Sequence, residues 1–164
     1  MIRLPLRILQ RSPILICFLQ LYEKVIIPAA VYRELTTAGE DIPGCREVQT
    51  LDWITVRSVS NSEFVASWQN QLDEGEAEAI ALAIELKAEW LLIDEELGRR
   101  VAAEYQIQMT GVLGILIEAK HQGLISAVKP LLDALIDALI ETADFWVSQR
   151  LYNRALEAVE EQEG

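Results

Sequence analysis

Leu91-Leu92-Ile93-Asp94-Glu95-Glu96 is a short apolar run that ends in three carboxylates. It reads as a buried strand carrying acids to its C-terminal end, where open parallel α/β sheets place their ligands. Two further acids interrupt apolar patterns: Glu34 in Val31-Tyr32-Arg33-Glu34-Leu35, and Glu76 at the start of Gly75-Glu76-Ala77-Glu78-Ala79-Ile80-Ala81-Leu82-Ala83. Carboxylates are seldom drawn inward unless they are paired or bound to a metal. Brought together, Glu34, Glu76 and Asp94 would offer hard oxygen ligands to Mg²⁺ or Mn²⁺ and would be the catalytic groups as well. Such an ion polarises a phosphodiester and acidifies a bound water, so the implied chemistry is phosphate hydrolysis. Each acid alone also has a plain structural reading: Glu76 as part of a helix cap, Glu34 as a solvated helix residue, Asp94 as a strand-to-helix connector.

The elements that would position these acids follow from periodicity. Val25-Ile26-Ile27 predicts a strand, and Pro28 suits the first turn of a helix to about Thr37. Val31, Glu34 and Leu35 share one side of that helix, which gives Glu34 an inward or rim position. Trp53-Ile54-Thr55-Val56 predicts a second strand, and Ser62 is expected to cap a helix with Phe64, Val65 and Trp68. Asp73 and Glu76 have capping-box spacing at the head of an alanine-rich helix to about Ala88. There Glu76, Ile80, Ala83 and Ile84 form the apolar stripe, while Glu78 falls out of phase and is expected to be more exposed. Trp90 to Ile93 is the acid-ended strand, followed by a helix from about Glu95 to Tyr105 and a strand at Ile107-Gln108-Met109. Helices from Val112 to about Lys120, from Pro130, and from Asp144 with Trp146, Val147 and Leu151 complete the chain. Ile26 and Leu92 are expected on neighbouring buried strands. The alternation of element types predicts an α/β fold.

The 164 residues suit one domain, 1–158, with 159–164 as an acidic tail expected to be disordered. The formal charge of −12 argues against a module that holds nucleic acid by neutralising phosphates, yet it permits a metal-loaded nuclease or a basic protein partner. Cys17 and Cys45 provide neither a disulfide framework nor a metal signature and are expected to stay unpaired. The single histidine, His121, belongs to a helix end. No apolar stretch is long enough for a membrane span, so a cytoplasmic protein is expected. A phosphatase or nucleotide enzyme is disfavoured by the lack of a Gly-rich phosphate loop or nucleophile motif.

Three segments together, Asp73 to Ala83, Leu91 to Ala102 and Met109 to Leu116, resemble the PIN-domain family, and Val25 to Leu35 fits the same pattern. The closest likeness is to a prokaryotic subgroup known only as predicted nucleic-acid-binding proteins. The resemblance implies a three-layer α/β/α sandwich with a central, mainly parallel sheet and an acidic Mg²⁺ or Mn²⁺ pocket. It further implies an RNA substrate, a small antitoxin-like partner and a homodimer. By position, the family's acids fall on Glu34, Glu76 and Asp94, and its pocket hydroxyl on Thr110, with Glu95 as an auxiliary acid. Ser12 matches the serine of the family's first motif. Arg99 and Arg100, just after Asp94, are candidates for phosphate contacts at the rim, as Ser12 is.

The first motif departs from the family. In Ile8-Leu9-Gln10-Arg11-Ser12-Pro13-Ile14, Gln10 stands where the leading metal-binding aspartate belongs. An amide oxygen is a weaker ligand than a carboxylate, and Arg11 would repel a cation. Pro13 to Tyr22 is also about one helical stretch short. The expected function is therefore a divalent-metal-dependent ribonuclease of PIN type, toxin-like, with activity weakened or lost. The alternative is a non-catalytic PIN-like interaction protein that binds itself or an antitoxin-like partner.

Overall fold

The β-branched run at Val25 forms strand β1 (Val25–Pro28), which pairs in parallel with β2 (Ile54–Arg57) from Val25 opposite Ile54 to Pro28 opposite Arg57. Pro28 closes the strand, and helix α1 (Ala29–Thr37) begins one residue later than expected. Its missing N–H costs no ladder bond at a strand end. The computed structural model describes residues 17, 20–22, 24–37, 45–140 and 149–160. Gln10, Ser12, Trp146 and Val147 lie outside the described residues.

Helices α2 (Cys45–Thr50) and α3 (Ser62–Trp68) flank β2; the cap of α3 is Asn61, one residue before the expected Ser62, because the Asn61 Oδ1 accepts the Phe64 N–H and Ser62 is already the first helical residue. Helix α4 (Glu74–Leu86) follows, then β3 (Leu91–Leu92), α5 (Glu96–Glu104), β4 (Met109–Thr110) and α6 (Val112–His121). Helices α7 (Lys129–Ile140) and α8 (Gln149–Ala158) end the described chain. β3 pairs in parallel with β4, Leu91 opposite Met109 and Leu92 opposite Thr110.

Successive side chains of β3 point into different cores, as strand geometry requires. Leu92 packs in one cluster with Val25, Ile27, Ile115 and Leu132, while Leu91 and Ile93 pack in another with Ala77, Ile80 and Val101. Helices therefore cover both faces of the parallel strands, the three-layer α/β/α arrangement.

Two expectations about the strands need correction. Ile26 and Leu92 do not sit on adjacent strands: among the described residues β1 pairs only with β2 and β3 only with β4. Val25 N–H goes to Trp53, and the N–H groups of Leu91 and Ile93 go to Gln108 and Thr110, so each strand's ladder bonds are made within its own pair. The last strand also starts later than Ile107. The Ile107 N–H donates to Ala102 O, which makes Ile107 part of the ending of α5, and Gln106 before it adopts a left-handed φ of 57°.

Candidate functional site

Glu76 is the one charged residue buried among the described residues, 3% exposed. Its helix is alanine-rich, so neighbouring elements approach α4 closely, and Ala77, Ala79, Ile80, Ala81, Leu82 and Ala83 are all buried. The capping box expected from the spacing is complete: Glu76 N–H donates to Asp73 Oδ1 at 2.8 Å, and Asp73 N–H donates to Glu76 Oε2 at 3.3 Å. The carboxylate thus serves its own helix N-terminus, where a negative charge also meets the positive end of the helix dipole. Its other oxygen faces α5, 3.6 Å from where a Cβ on Gly98 would stand.

Asp94 follows the end of β3 and is half-buried. Its Oδ1 accepts the N–H of Val112, the first residue of α6, at 3.2 Å. Its Oδ2 is buried and accepts no hydrogen bond. Gly111 makes this approach possible, because any Cβ there would overlap Asp94 Oδ1 and lie 3.8 Å from Arg99 Nη1. Arg99 itself is held by donating from Nη1 to Ile93 O at 2.7 Å. Burial pushes the Asp94 carboxyl up from 3.8 to about 6; the Val112 N–H and the Arg99 charge pull the other way and are outweighed.

The remaining expected residues are arranged differently. Of the inward or rim position expected for Glu34, the inward one does not hold: Glu34 is exposed on α1, because Ala30, Val31 and Leu35 take the buried side and its long side chain leaves from the edge of that stripe. Glu78, expected to be more exposed, is half-buried, and its Oε2 accepts the Ala30 N–H at the start of α1 at 2.8 Å. Ile84, expected on the apolar stripe, is 38% exposed. Thr110 is half-buried but does not cap α6: its Oγ1 lies 3.3 Å from Gly111 O and directly over Gly114, and the N-cap position is Gly111. Glu95 is the exposed N-cap of α5 and makes no side-chain cap bond. Arg100 is exposed, whereas Arg99 is half-buried against the end of β3.

Asp94 Oδ2, buried without a hydrogen bond, is what a ligand atom would look like. Glu76 Oε1, turned towards α5, is a buried carboxylate oxygen as well, but a full donor set does not follow. Among the described residues no group of three or more His, Cys, Asp or Glu side chains is placed to hold a metal ion. Glu34 faces solvent, Glu76 Oε2 caps its helix, and a guanidinium stands beside Asp94. The described donors do not form a ready ion site, and the three acids expected to share one ion are not brought together as a cluster.

Sequence reasoning missed Glu78, Gly98 and Gly111. A glycine inside the helical run Glu96-Leu97-Gly98-Arg99 was a usable signal, since mid-helix glycine is costly without a packing reason. At Gly98 that reason is Ile93, whose Cδ1 fills the space a Cβ would need.

The parallel strands between helical layers, with acids following the end of β3, define an α/β domain of a recognisable kind. A family model described as PIN domain matches residues 4–161, and the chain belongs to the PIN-domain family. Comparison with curated proteins and with solved structures gave no match. No helix among the described residues is long and apolar enough to cross a membrane.

Proposed function

We propose that this chain is a non-catalytic PIN-like interaction protein that binds a second copy of itself or a small antitoxin-like protein. The observation that carries this reading is the dispersal of the expected site: no three-donor group is placed for a metal ion among the described residues. Catalysis of phosphodiester hydrolysis by ions depends on carboxylates gathered around them. Here Glu76 and Glu78 are used to cap helices, and Asp94 holds α6.

Exposed apolar side chains around a groove support this reading as well. Leu86 and Trp90 are each 40% exposed. They line a groove of about 470 Å³ together with Leu21, Tyr22 and Ile26, with Lys24 and Lys87 at its margin. Apolar and aromatic anchors around a pocket are the usual centre of a protein interface. Leu151 on α8, 44% exposed, offers a second apolar contact. Light scattering of the purified chain tests the first partner: a mass near twice 18.5 kDa is expected, reduced towards the monomer by W90A. A monomer at all concentrations that also captures no antitoxin-like protein from its genomic neighbourhood would sink the proposal.

The second reading is a metal-dependent ribonuclease with RNA as substrate, and the buried, unbonded Asp94 Oδ2 favours it. Incubation of the protein with RNA and Mn²⁺ separates the two. Interaction without chemistry predicts no cleavage above that of D94N; robust cleavage lost in D94N establishes the nuclease.

A further inference from the structure

The fold itself places a cation beside Asp94. Arg99 leaves the first turn of α5, folds back and donates from Nη1 to Ile93 O at 2.7 Å, so its guanidinium is fixed at the end of β3. From a single point, the missing Cβ of Gly111, the chain meets Asp94 Oδ1 in overlap and Arg99 Nη1 at 3.8 Å. The carboxylate and the guanidinium therefore share one small space, walled by the α6 N-terminus. That N-terminus adds a second positive influence through the Val112 N–H. We propose that Arg99 and the head of α6 act as the built-in countercharge of Asp94 and keep divalent cations off it, so that this cluster is a structural clasp joining β3, α5 and α6.

A divalent ion and the built-in positive charge compete for Asp94. A divalent ion at Asp94 Oδ2 would gain one carboxylate, half-committed to Val112 through its other oxygen, and would face the fixed positive charge of Arg99 at short range. In a half-buried site the repulsion between a dication and a guanidinium a few ångströms away is not screened as it would be in water. Arginine is suited to this role because it stays charged and its planar fork is held by the Ile93 carbonyl. Removing the charge while keeping a donor for Ile93 O would reverse the balance and leave Asp94 Oδ2 open to an ion.

The test is calorimetric titration of Mn²⁺ into the parent, D94N, R99K, R99Q and R99Q/D94N, with manganese spin resonance as an independent measure of bound ion. The parent and R99K are expected to show no Mn²⁺ binding that D94N removes. R99Q is expected to bind Mn²⁺ at least roughly tenfold more tightly than the parent, as loss of a close repulsive charge requires, and R99Q/D94N to lose that gain. Binding by the parent that D94N abolishes would overturn the proposal, as would R99Q binding no better than the parent. If R99Q does not fold, Mn²⁺ binding by the parent that D94N abolishes still overturns the proposal. The inference rests on the non-catalytic reading but fails separately from it. Asp94-dependent Mn²⁺ binding without RNA cleavage would remove the clasp and leave that reading intact, whereas RNA cleavage without ion binding at Asp94 would do the reverse.

Discussion

Asp94 caps a helix that is not its own: its Oδ1 accepts the N–H of Val112, 18 residues further along the chain, at 3.2 Å. The helix that follows Asp94 directly, α5, has Glu95 at its N-cap position without a side-chain bond. The side chain therefore ties the end of β3 to α6 across the neighbouring parallel strand. The first consequence is for stability against pH. The Asp94 carboxyl is raised to about 6 when folded, so the folded state takes up its proton before the unfolded chain does. The stability its neutral form contributes is fully present below about pH 3.8 and is lost as pH rises to about 6. The effect is on the order of 3 kcal/mol at most. D94N keeps an oxygen for Val112 and has no proton to lose. Its stability relative to the parent should rise between pH 4 and pH 7 and level off above that, as read from urea midpoints in the two proteins. A constant difference across the range would contradict this.

Gly111 should be sensitive to a single methyl group. A Cβ there collides with Asp94 Oδ1, so G111A must push the carboxylate off the Val112 N–H. A loss of roughly 1–3 kcal/mol in urea unfolding is expected, typical of overpacking together with a lost buried hydrogen bond. The φ of Gly111 is −123°, which alanine adopts freely, so backbone strain does not contribute. In D94A the obstacle is gone, and G111A should then cost far less. Additive losses in the double mutant would rule out the contact as the cause.

The capping box at the head of α4 predicts an asymmetric pair. D73A removes the acceptor for Glu76 N–H and should cost about 1 kcal/mol. E76A removes the reciprocal bond and also empties a buried position, so it should cost more, while E76Q retains an acceptor and should fall between the parent and E76A. Thermal or urea unfolding of the three variants gives the order directly.

The two cysteines should react as buried, separate thiols. Both are free and 1% exposed, and burial raises the Cys17 thiol above its ordinary value, which lowers the fraction of reactive thiolate. Labelling with a thiol reagent should be slow in the native protein and quick in denaturant. Mass analysis without reductant should find two thiols and no intramolecular bridge.

The chain's local chemistry was enough to read the fold class and several element ends. β-branched runs mark β1 and β2, Asp73 and Glu76 announce their capping box by spacing alone, and the lack of any cysteine pattern predicted the free thiols. Such features involve residues a few positions apart, whose geometry is set by the helix or strand they form. Other outcomes depended on which elements meet. Periodicity placed Glu34 inward or at the rim and Glu78 more exposed, yet Glu78 is the acid that reaches Ala30 and Glu34 is the one left in solvent. Phase along α4 carries little information when nearly every position from Gly75 to Ala83 is buried, because the helix is surrounded and has no single inner face. The strand end at Asp94 could be read from its residues, but its partner Val112, the neighbouring Arg99 and the clearance at Gly111 come from two helices and a parallel strand pair folding against one another. A sequence specifies that a carboxylate stands at the end of a strand; only the packing of α5 and α6 around that end decides what charge and which N–H it meets.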